Sequence, residues 1–406
     1  MISIEEAERV ILEQCQPRAP IEVPLLEAGG YAVAADMRSG DDVPAFNRAM
    51  MDGFAFRAAD ATGPGARLRV VDCLPAGKAF DGELPPGAAV KIMTGAPLPA
   101  GADTVMPKEH CREHPDDWVE FTETPVAGRN VAPRGSELAA GSPLFAPGDV
   151  LKASDLGVLA IFGFTRVRVY PRPVLSLINT GSELVDIDQP LTGGRIRNSD
   201  MYSIASYFRK FGYTCAVRGI VPDHEAAIRS AVSAEPEADV ILLTGGVSVG
   251  EFDLVQTAVR AEGFQVLFDA VAIKPGKPLV FARKGRQLLF GLSGNPVSSL
   301  LQAARFALPA LRRLAGWNRP HSMFVTATLT ADLRHRGDRA AYRPCRLVAE
   351  EGRLLCRPVR DKGSADLFSW RTINGLAVLP ADRPELAAGE LVRVFILEPF
   401  QFLPPE

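Results

Sequence analysis

Between Pro173 and about Gly316, continuous apolar runs alternate with amphipathic helical stretches, and few folds accommodate that alternation. Val174 to Asn179, Tyr213 to Val221 and Val240 to Leu243 read as strands. Ser199 to Gly212, with Met201, Ile204, Ala205 and Phe208 inward, reads as a helix. So do Asp223 to Ala234, Phe252 to Glu262, and Pro296 to about Leu308, the last with proline in the favoured first turn. Strands apolar at successive residues bury both faces, so the pattern predicts a mostly parallel, doubly wound α/β sheet covered by helices on both sides. Ligands of such sheets bind beyond the carboxyl ends of the strands, where Thr180-Gly181 and Thr244-Gly245-Gly246 fall.

The rest of the chain is patterned differently. Its 406 residues exceed one ordinary core and imply about three domains at roughly 150 residues each. Residues 1–44 read as a helix, started by the capping box Ser3-x-x-Glu6 with Ile4, Ala7, Ile11 and Cys15 on one face, followed by an extended segment. From 45 to 138, short strands (Leu68 to Cys73, Ala88 to Met93, Trp118 to Thr122) are separated by Gly/Pro turns. Residues 139–172 return to helix and strand, with Ser154-Asp155 as N-cap. The simplest account is a β-rich domain, 45–138, inserted into a linking domain made of 1–44 and 139–172. It precedes the α/β domain, 173–316. Residues 317–406 form a small terminal β domain, with strands at Phe324 to Leu329, Arg353 to Pro358, Leu376 to Leu379 and Leu391 to Ile396, and a hairpin turn at Glu350-Glu351-Gly352.

A formal charge of −3 argues against a nucleic-acid surface. Six cysteines without a CxxC pair read as free thiols of a reducing compartment, and His110-Cys111-Arg112-Glu113-His114 lacks the further ligands a zinc site needs. The most apolar run, Leu156 to Phe164, is too short and glycine-interrupted to span a membrane, and the acidic, amphipathic start is unlike a signal peptide. The expectation is a soluble, cytoplasmic protein.

Three Gly/Pro-rich loops carry the chemistry: 244–253, Ile273-Lys274-Pro275-Gly276-Lys277-Pro278, and Gly291-Leu292-Ser293-Gly294-Asn295-Pro296. Glycines let backbone N–H groups approach an oxyanion, and two lysines add charge. Gly245 and Gly250 have Walker-loop spacing, yet Glu251-Phe252 stands where Lys-Ser/Thr would hold nucleotide phosphate, so the reading is an oxyanion site and no P-loop. Each polar group has a bland alternative. Glu183 either accepts hydrogen bonds from a ligand or satisfies the donors of a helix N-terminus, and Asp253 is a ligand or a charge at a helix start. Lys274 and Lys277, in a turn stiffened by prolines, form an oxyanion clamp or a solvated turn. Asn295-Pro296 suffices for helix initiation, and Asp52-Gly53 would ordinarily be a hairpin turn.

Taken in order, these motifs resemble the molybdopterin molybdenumtransferase family (MoeA-type, shared with the C-terminal domain of gephyrin). Ala49 to Ala55 resembles its Ser-Ala-Met-Asp-Gly-Tyr-Ala stretch, Thr94 to Pro97 its Thr-Gly-Ala-Pro, and Thr180 to Leu184 its Thr-Gly-x-Glu-Leu. Residues 245–253, 274–278 and 294–298 match Gly-Gly-Val-Ser-Val-Gly-x-x-Asp, Lys-Pro-Gly-Lys-Pro and Gly-Asn-Pro-Val-Ser, and Tyr342-Arg343, Gly363-Ser364, Ser369 and Asn374-Gly375 fit its terminal segment. The resemblance implies a MogA-like α/β domain and a small β-barrel-like C-terminal domain. It implies an enzyme that inserts molybdate into adenylylated molybdopterin and releases AMP, assisted by Mg2+. Asp52, Thr94, Glu183, Asp223 and Asp253 would be catalytic, with Asp253 and Asp223 holding magnesium. Gly245, Gly246, Ser248, Lys274, Lys277, Asn295, Pro296, Ser298, Arg343, Ser364 and Ser369 would bind substrate.

Family members are elongated homodimers whose inserted domain reaches the partner's site. The implied protein partners are the upstream molybdopterin adenylyltransferase and downstream cofactor acceptors. The chain departs from the pattern at Ala49-Met50, Phe54, Glu137, Ser293 and Asp366. Two rival readings are a molybdopterin adenylyltransferase, which shares the 173–316 type of domain, and a non-catalytic pterin-binding scaffold.

Overall fold

The apolar runs do form the centre of a sheet. In the computed structural model, which describes residues 1–247 and 254–397, the strands are β1 (Leu175–Thr180), β2 (Cys215–Val221), β3 (Val240–Thr244), β4 (Gln265–Ala270), β5 (Pro278–Lys284) and β6 (Gln287–Leu292). Among the described residues they make one six-stranded sheet in the order β2-β1-β3-β6-β5-β4. The first four run parallel, and β5 is antiparallel to both its neighbours. The sequence reading named no strand at β4, β5 or β6, which lie among the Gly/Pro-rich loops it singled out for their chemistry.

Side chains alternate between the two faces with period two. Val240 and Leu242 join Ile204, Phe208 and Leu311 on one side, while Ile241 and Leu243 join Ile228, Val232 and Val259 on the other. Each such fully buried side chain contributes about 1.5–3 kcal/mol of transfer free energy. Helices Asp200–Lys210, Glu225–Ser233 and Leu254–Ala261 sit close to their expected spans. The helix beginning at Pro296 runs past Leu308: Pro296–Gln302, a π turn at Ala303–Ala307, then Leu308–Leu314. Pro309 explains the π turn, because its ring lacks an N–H and clashes with the carbonyl four residues back.

The N-terminal helix Ile4–Gln14 lays Ile4, Ala7, Ile11 and Cys15 into the first of these cores. Ser3 Oγ accepts the Glu6 N–H at 3.0 Å, but the Glu6 carboxylate turns to Arg9, leaving the capping box half made. In the helix Ala153–Ile161, Ser154 and Asp155 lie within the first turn and not at the expected cap position; Asp155 reaches back to accept the Lys152 N–H at 2.8 Å.

The terminal strands β7 (Phe324–Leu329), β8 (Ala340–Glu350), β9 (Arg353–Pro358), β10 (Gly375–Leu379) and β11 (Leu391–Ile396) close on themselves in the order β8-β9-β7-β11-β10-β8. Closure leaves no free edge, and Ala327, Leu347, Cys356, Ala377 and Val394 fill the interior. Glu351-Gly352 is a two-residue turn with φ of 48° and 75°, the conformation that matches strand twist. All six cysteines are free.

The chain divides into two compact units: Met1–Ala34 with Pro147–Leu156 and Arg166–Glu406, and Ala35–Ala146 with Gly157–Thr165. In the second unit, Gly53–Phe56 lies inside a six-stranded sheet of the described residues, between Ala88–Ile92 and Thr104–Pro107. Asp52-Gly53 is therefore not a hairpin turn. A Cβ on Gly53 would lie 1.9 Å from the Met106 carbonyl oxygen, so glycine is there for close strand approach. Among the described residues, no helix is long and apolar enough to cross a membrane.

Candidate active site

Asn179, Thr244 and Leu292 are aligned by strand register near the carboxyl ends of β1, β3 and β6. Three loops thus leave the sheet in one row. Gly245 (φ 84°) donates its N–H to Leu292 O at 3.2 Å; a Cβ there would lie 2.2 Å from Thr180 O, and one on Gly294 would lie 3.3 Å from Gly245 Cα. The loops touch, and glycine is what lets them. A groove between them is lined by Thr180, Glu183, Asp200, Gly245, Gly294 and Pro296.

Glu183 is exposed, and a turn closed by the Leu184 N–H on Gly181 O leads from it into the strand Leu184–Val185. No helix starts there, which removes the helix-end alternative. Asp223 Oδ1 lies 3.2 Å from where a Gly246 Cβ would stand. That oxygen, Thr180 Oγ1 and Asn198 Nδ2 are buried without a hydrogen-bond partner among the described residues. Buried polar atoms without a partner are rare in a folded core, and three of them gather at this strand end. Asp200, 7% exposed, accepts the Ser299 hydroxyl at 2.8 Å; burial pushes its carboxyl up to about 6 despite the bonds from Ser299 and Ser199.

A larger cavity of about 500 Å³ opens on the other side of the Ser293–Ser298 segment. It gathers the expected Lys274, Lys277, Asn295, Ser298, Arg343 and Ser364. It also gathers Arg334, His335, Arg336 and Arg339, which the motifs did not mark, although a basic run at 334–339 was in view. Among its described lining residues Asp361 is the one carboxylate, so the cavity is strongly electropositive. Lys274 donates to the Arg336 carbonyl at 2.9 Å, and Arg339 returns a bond to Ile273 O at 3.1 Å, fixing both loops. The Arg343 guanidinium lies 3.0 Å from Asp361, which also accepts the Gly363 N–H at 2.9 Å. Ser364 O accepts the Val297 N–H at 3.2 Å.

Residues along 293–297 alternate between the two spaces. Ser293, Asn295 and Val297 line the cavity, and Gly294 and Pro296 line the groove. Asn295 stands at the N-cap position, yet its side chain makes no capping bond and is exposed. Fully buried Gln302 holds this wall. Its Oε1 accepts the Ser293 N–H at 2.8 Å, and its Nε2 donates to Gly276 O at 2.8 Å and Pro278 O at 2.6 Å. The sequence reading missed Gln302, though a lone amide inside the otherwise apolar stretch Leu300 to Ala304 was a usable signal.

Other expected residues lie elsewhere. Ser369 does not line the cavity; its hydroxyl donates to Asp366 O at 3.0 Å as a 3-10 turn begins. In the second unit, Asp52 Oδ1 accepts the Thr94 N–H at 2.8 Å and the Thr94 hydroxyl at 2.7 Å, bonds that hold the Asp52 carboxyl below its usual range. Asp253 and Ser248 are outside the described residues. Among the described residues, no three His, Cys, Asp or Glu side chains converge as a metal cluster.

Comparison with known proteins accounts for nearly the whole chain. The family described as "MoeA N-terminal region (domain I and II)" matches residues 2–163. "Probable molybdopterin binding domain" matches 176–313, and "MoeA C-terminal region (domain IV)" matches 326–397. The chain is 32% identical to a molybdopterin molybdenumtransferase of Haemophilus influenzae, over 99% of this chain and 100% of that protein. It is 32% identical to one of Bacillus subtilis, over 90% of this chain and 87% of that protein. The solved structure of the molybdopterin biosynthesis MoeA protein from Pyrococcus horikoshii OT3 has a TM-score of 0.83 at 28% identity, covering 98% of this chain and 100% of that one. On this full-length similarity, the chain belongs to the molybdopterin molybdenumtransferase family.

Proposed function

We propose that this chain inserts molybdate into adenylylated molybdopterin and releases AMP, a step of molybdenum cofactor biosynthesis. The carrying observation is the electropositive cavity that shares a wall with a strand-end groove. Molybdate is a tetrahedral dianion, and Lys274, Lys277, Arg343, Ser364 and Ser298 offer it charge and hydrogen bonds. The pterin and phosphate lie along the groove, against Glu183, Gly245, Pro296, Thr180 and Asn198, with Gly246 next along the same loop and Asn295 on the cavity side of the shared wall. Holding the two reactants across one wall supplies proximity, and fixed cations stabilise charge without reorganising. Asp52 and Thr94 are assigned to catalysis as a bonded pair.

Magnesium belongs to this proposal. The unpartnered carboxylate oxygen of Asp223 fits a hard cation's preference for oxygen, and Asp253 is proposed as a second ligand from its motif alone. When bound, the ion neutralises phosphate charge. Molybdenum itself is cargo, and its soft ligands are the pterin's own sulfurs. Ser248 and Ser369 stay in the proposed substrate set as residues to vary. Homodimeric, cytoplasmic action and the four-part division at 44/45, 138/139, 172/173 and 316/317 complete the proposal.

The test is molybdate-dependent AMP release from adenylylated molybdopterin. ATP consumption with molybdopterin instead would make the protein an adenylyltransferase, and pterin binding without turnover would make it a scaffold.

A further inference from the structure

Asp200 is a buried carboxylate without a cation. It opens the helix Asp200–Lys210, is 7% exposed, and lines the strand-end groove. A carboxylate buried this deeply is ordinarily paired with lysine or arginine. Among the described residues Asp200 makes no ion pair; its partners are the Ser299 hydroxyl, which donates to Oδ2 at 2.8 Å, and the Ser199 hydroxyl. Arg197 lines the same groove but donates to Gln189 O at 3.3 Å. The start of its own helix favours a negative charge here, which accounts for the place of the carboxylate and not for its spare acceptors. An ionised carboxylate offers about four acceptor positions, and the two hydroxyls use two of them. Burial raises the carboxyl to about 6, so it is largely ionised at pH 7.

Two open acceptor positions on one carboxylate suit two parallel N–H donors. A pterin ring carries such an edge, because its N3–H and its 2-amino group point the same way. Adenine, at the other end of the proposed substrate, sets its 6-amino donor beside the N1 acceptor and has no matching pair. The groove holds about 70 Å³, room for one edge of a flat ring and not for a whole bicyclic system. Glu183 lines the groove too, but it is exposed, where water competes for its oxygens and weakens any preference. We propose that Asp200 selects the pterin, accepting the N3–H and a 2-amino N–H of its edge, and so decides which end of the adenylylated substrate enters the groove. This role rests on the reading of the groove as the pterin site.

The experiment compares the binding of 6-hydroxymethylpterin and 6-hydroxymethyllumazine to the full chain at pH 7, by ligand-observed NMR titration. The lumazine keeps N3–H but carries a 2-oxo group in place of the 2-amino group, so an acceptor faces the carboxylate where a donor stood. Wild type favours the pterin by about tenfold or more. Asp200→Asn has the same shape and still accepts from Ser299, so its thermal melt stays close to that of wild type. Its preference for the pterin is lost or reversed, because the carboxamide N–H can meet the 2-oxo group. A wild type that binds the two rings equally overturns the proposal without recourse to any variant, and so does an Asp200→Asn protein with the wild-type preference. If wild type binds neither ring, the reading of the groove as a pterin site has itself failed; a wild type that prefers the pterin beside an Asp200→Asn protein that prefers it equally removes Asp200 alone.

Discussion

Gln302 Oε1 accepts the Ser293 N–H at 2.8 Å, so one helical side chain sets the start of the segment that walls both spaces. The same amide holds the carbonyls of Gly276 and Pro278. Gln302→Leu keeps the volume and leaves one N–H and two carbonyls without their partner. A loss of about 2–4 kcal/mol is expected in denaturant titration, together with about tenfold weaker molybdate binding. A change under about 1 kcal/mol would mean that water replaces these bonds.

Gly245 is a second structural lever. Alanine there combines a φ of 84° with a Cβ 2.2 Å from the Thr180 carbonyl oxygen. The loop must move, at a cost of about 3 kcal/mol or more. A thermal melt of Gly245→Ala within a degree or two of wild type would contradict this packing.

Glu8 connects acid stability to the fold. Its carboxylate accepts from Arg305 Nη2 at 2.8 Å and contacts His321 Nδ1 at 2.9 Å, and Arg305 is buried. Burial pushes the Glu8 carboxyl up, but the bonds and charges of Arg305 and His321 bring it below the ordinary 4.5. A depressed folded value means the stabilisation is complete above about pH 4.5 and is lost as pH falls through the folded value. Glu8→Gln, which strands the Arg305 charge, is expected to cost about 3 kcal/mol at pH 7. Its unfolding free energy should vary less than that of wild type below pH 4.5. Parallel curves for the two proteins would rule Glu8 out as the source.

Asp52 and Thr94 test the second unit. Asp52→Ala is expected to lower AMP release about 10²-fold, with Thr94→Val between it and wild type because the Thr94 N–H still donates. The Asp52 carboxyl lies below its usual range, so its ionisation adds no pH dependence between 5 and 9. Full activity in Asp52→Ala would remove it from the catalytic set.

Lys277 tests the oxyanion clamp. Lys277→Ala should weaken molybdate binding by about tenfold or more and flatten its salt dependence. Unchanged molybdate-dependent AMP release would end the assignment.

The strand ends and their loops were legible because an apolar run followed by Gly-Gly or Gly-Asn-Pro is a local signal, as at Leu243 to Gly246. Gly53 was misread because the Asp-Gly pair marks a turn only when nothing crosses it, and the Met106 carbonyl is set there by strand pairing. The role of Gln302 depends on contacts across the fold. Gln302 reaches a loop 26 residues away in sequence. Local pattern finds loops that present backbone, while side chains that brace them become visible only once the chain has closed around them.

Alternate residues of 293–297 serve opposite chambers. The partition therefore keeps phase, like a strand that must not slip. Inserting or deleting a single residue there would hand every side chain to the wrong compartment, so its length is held more tightly than the identity of any one of its members.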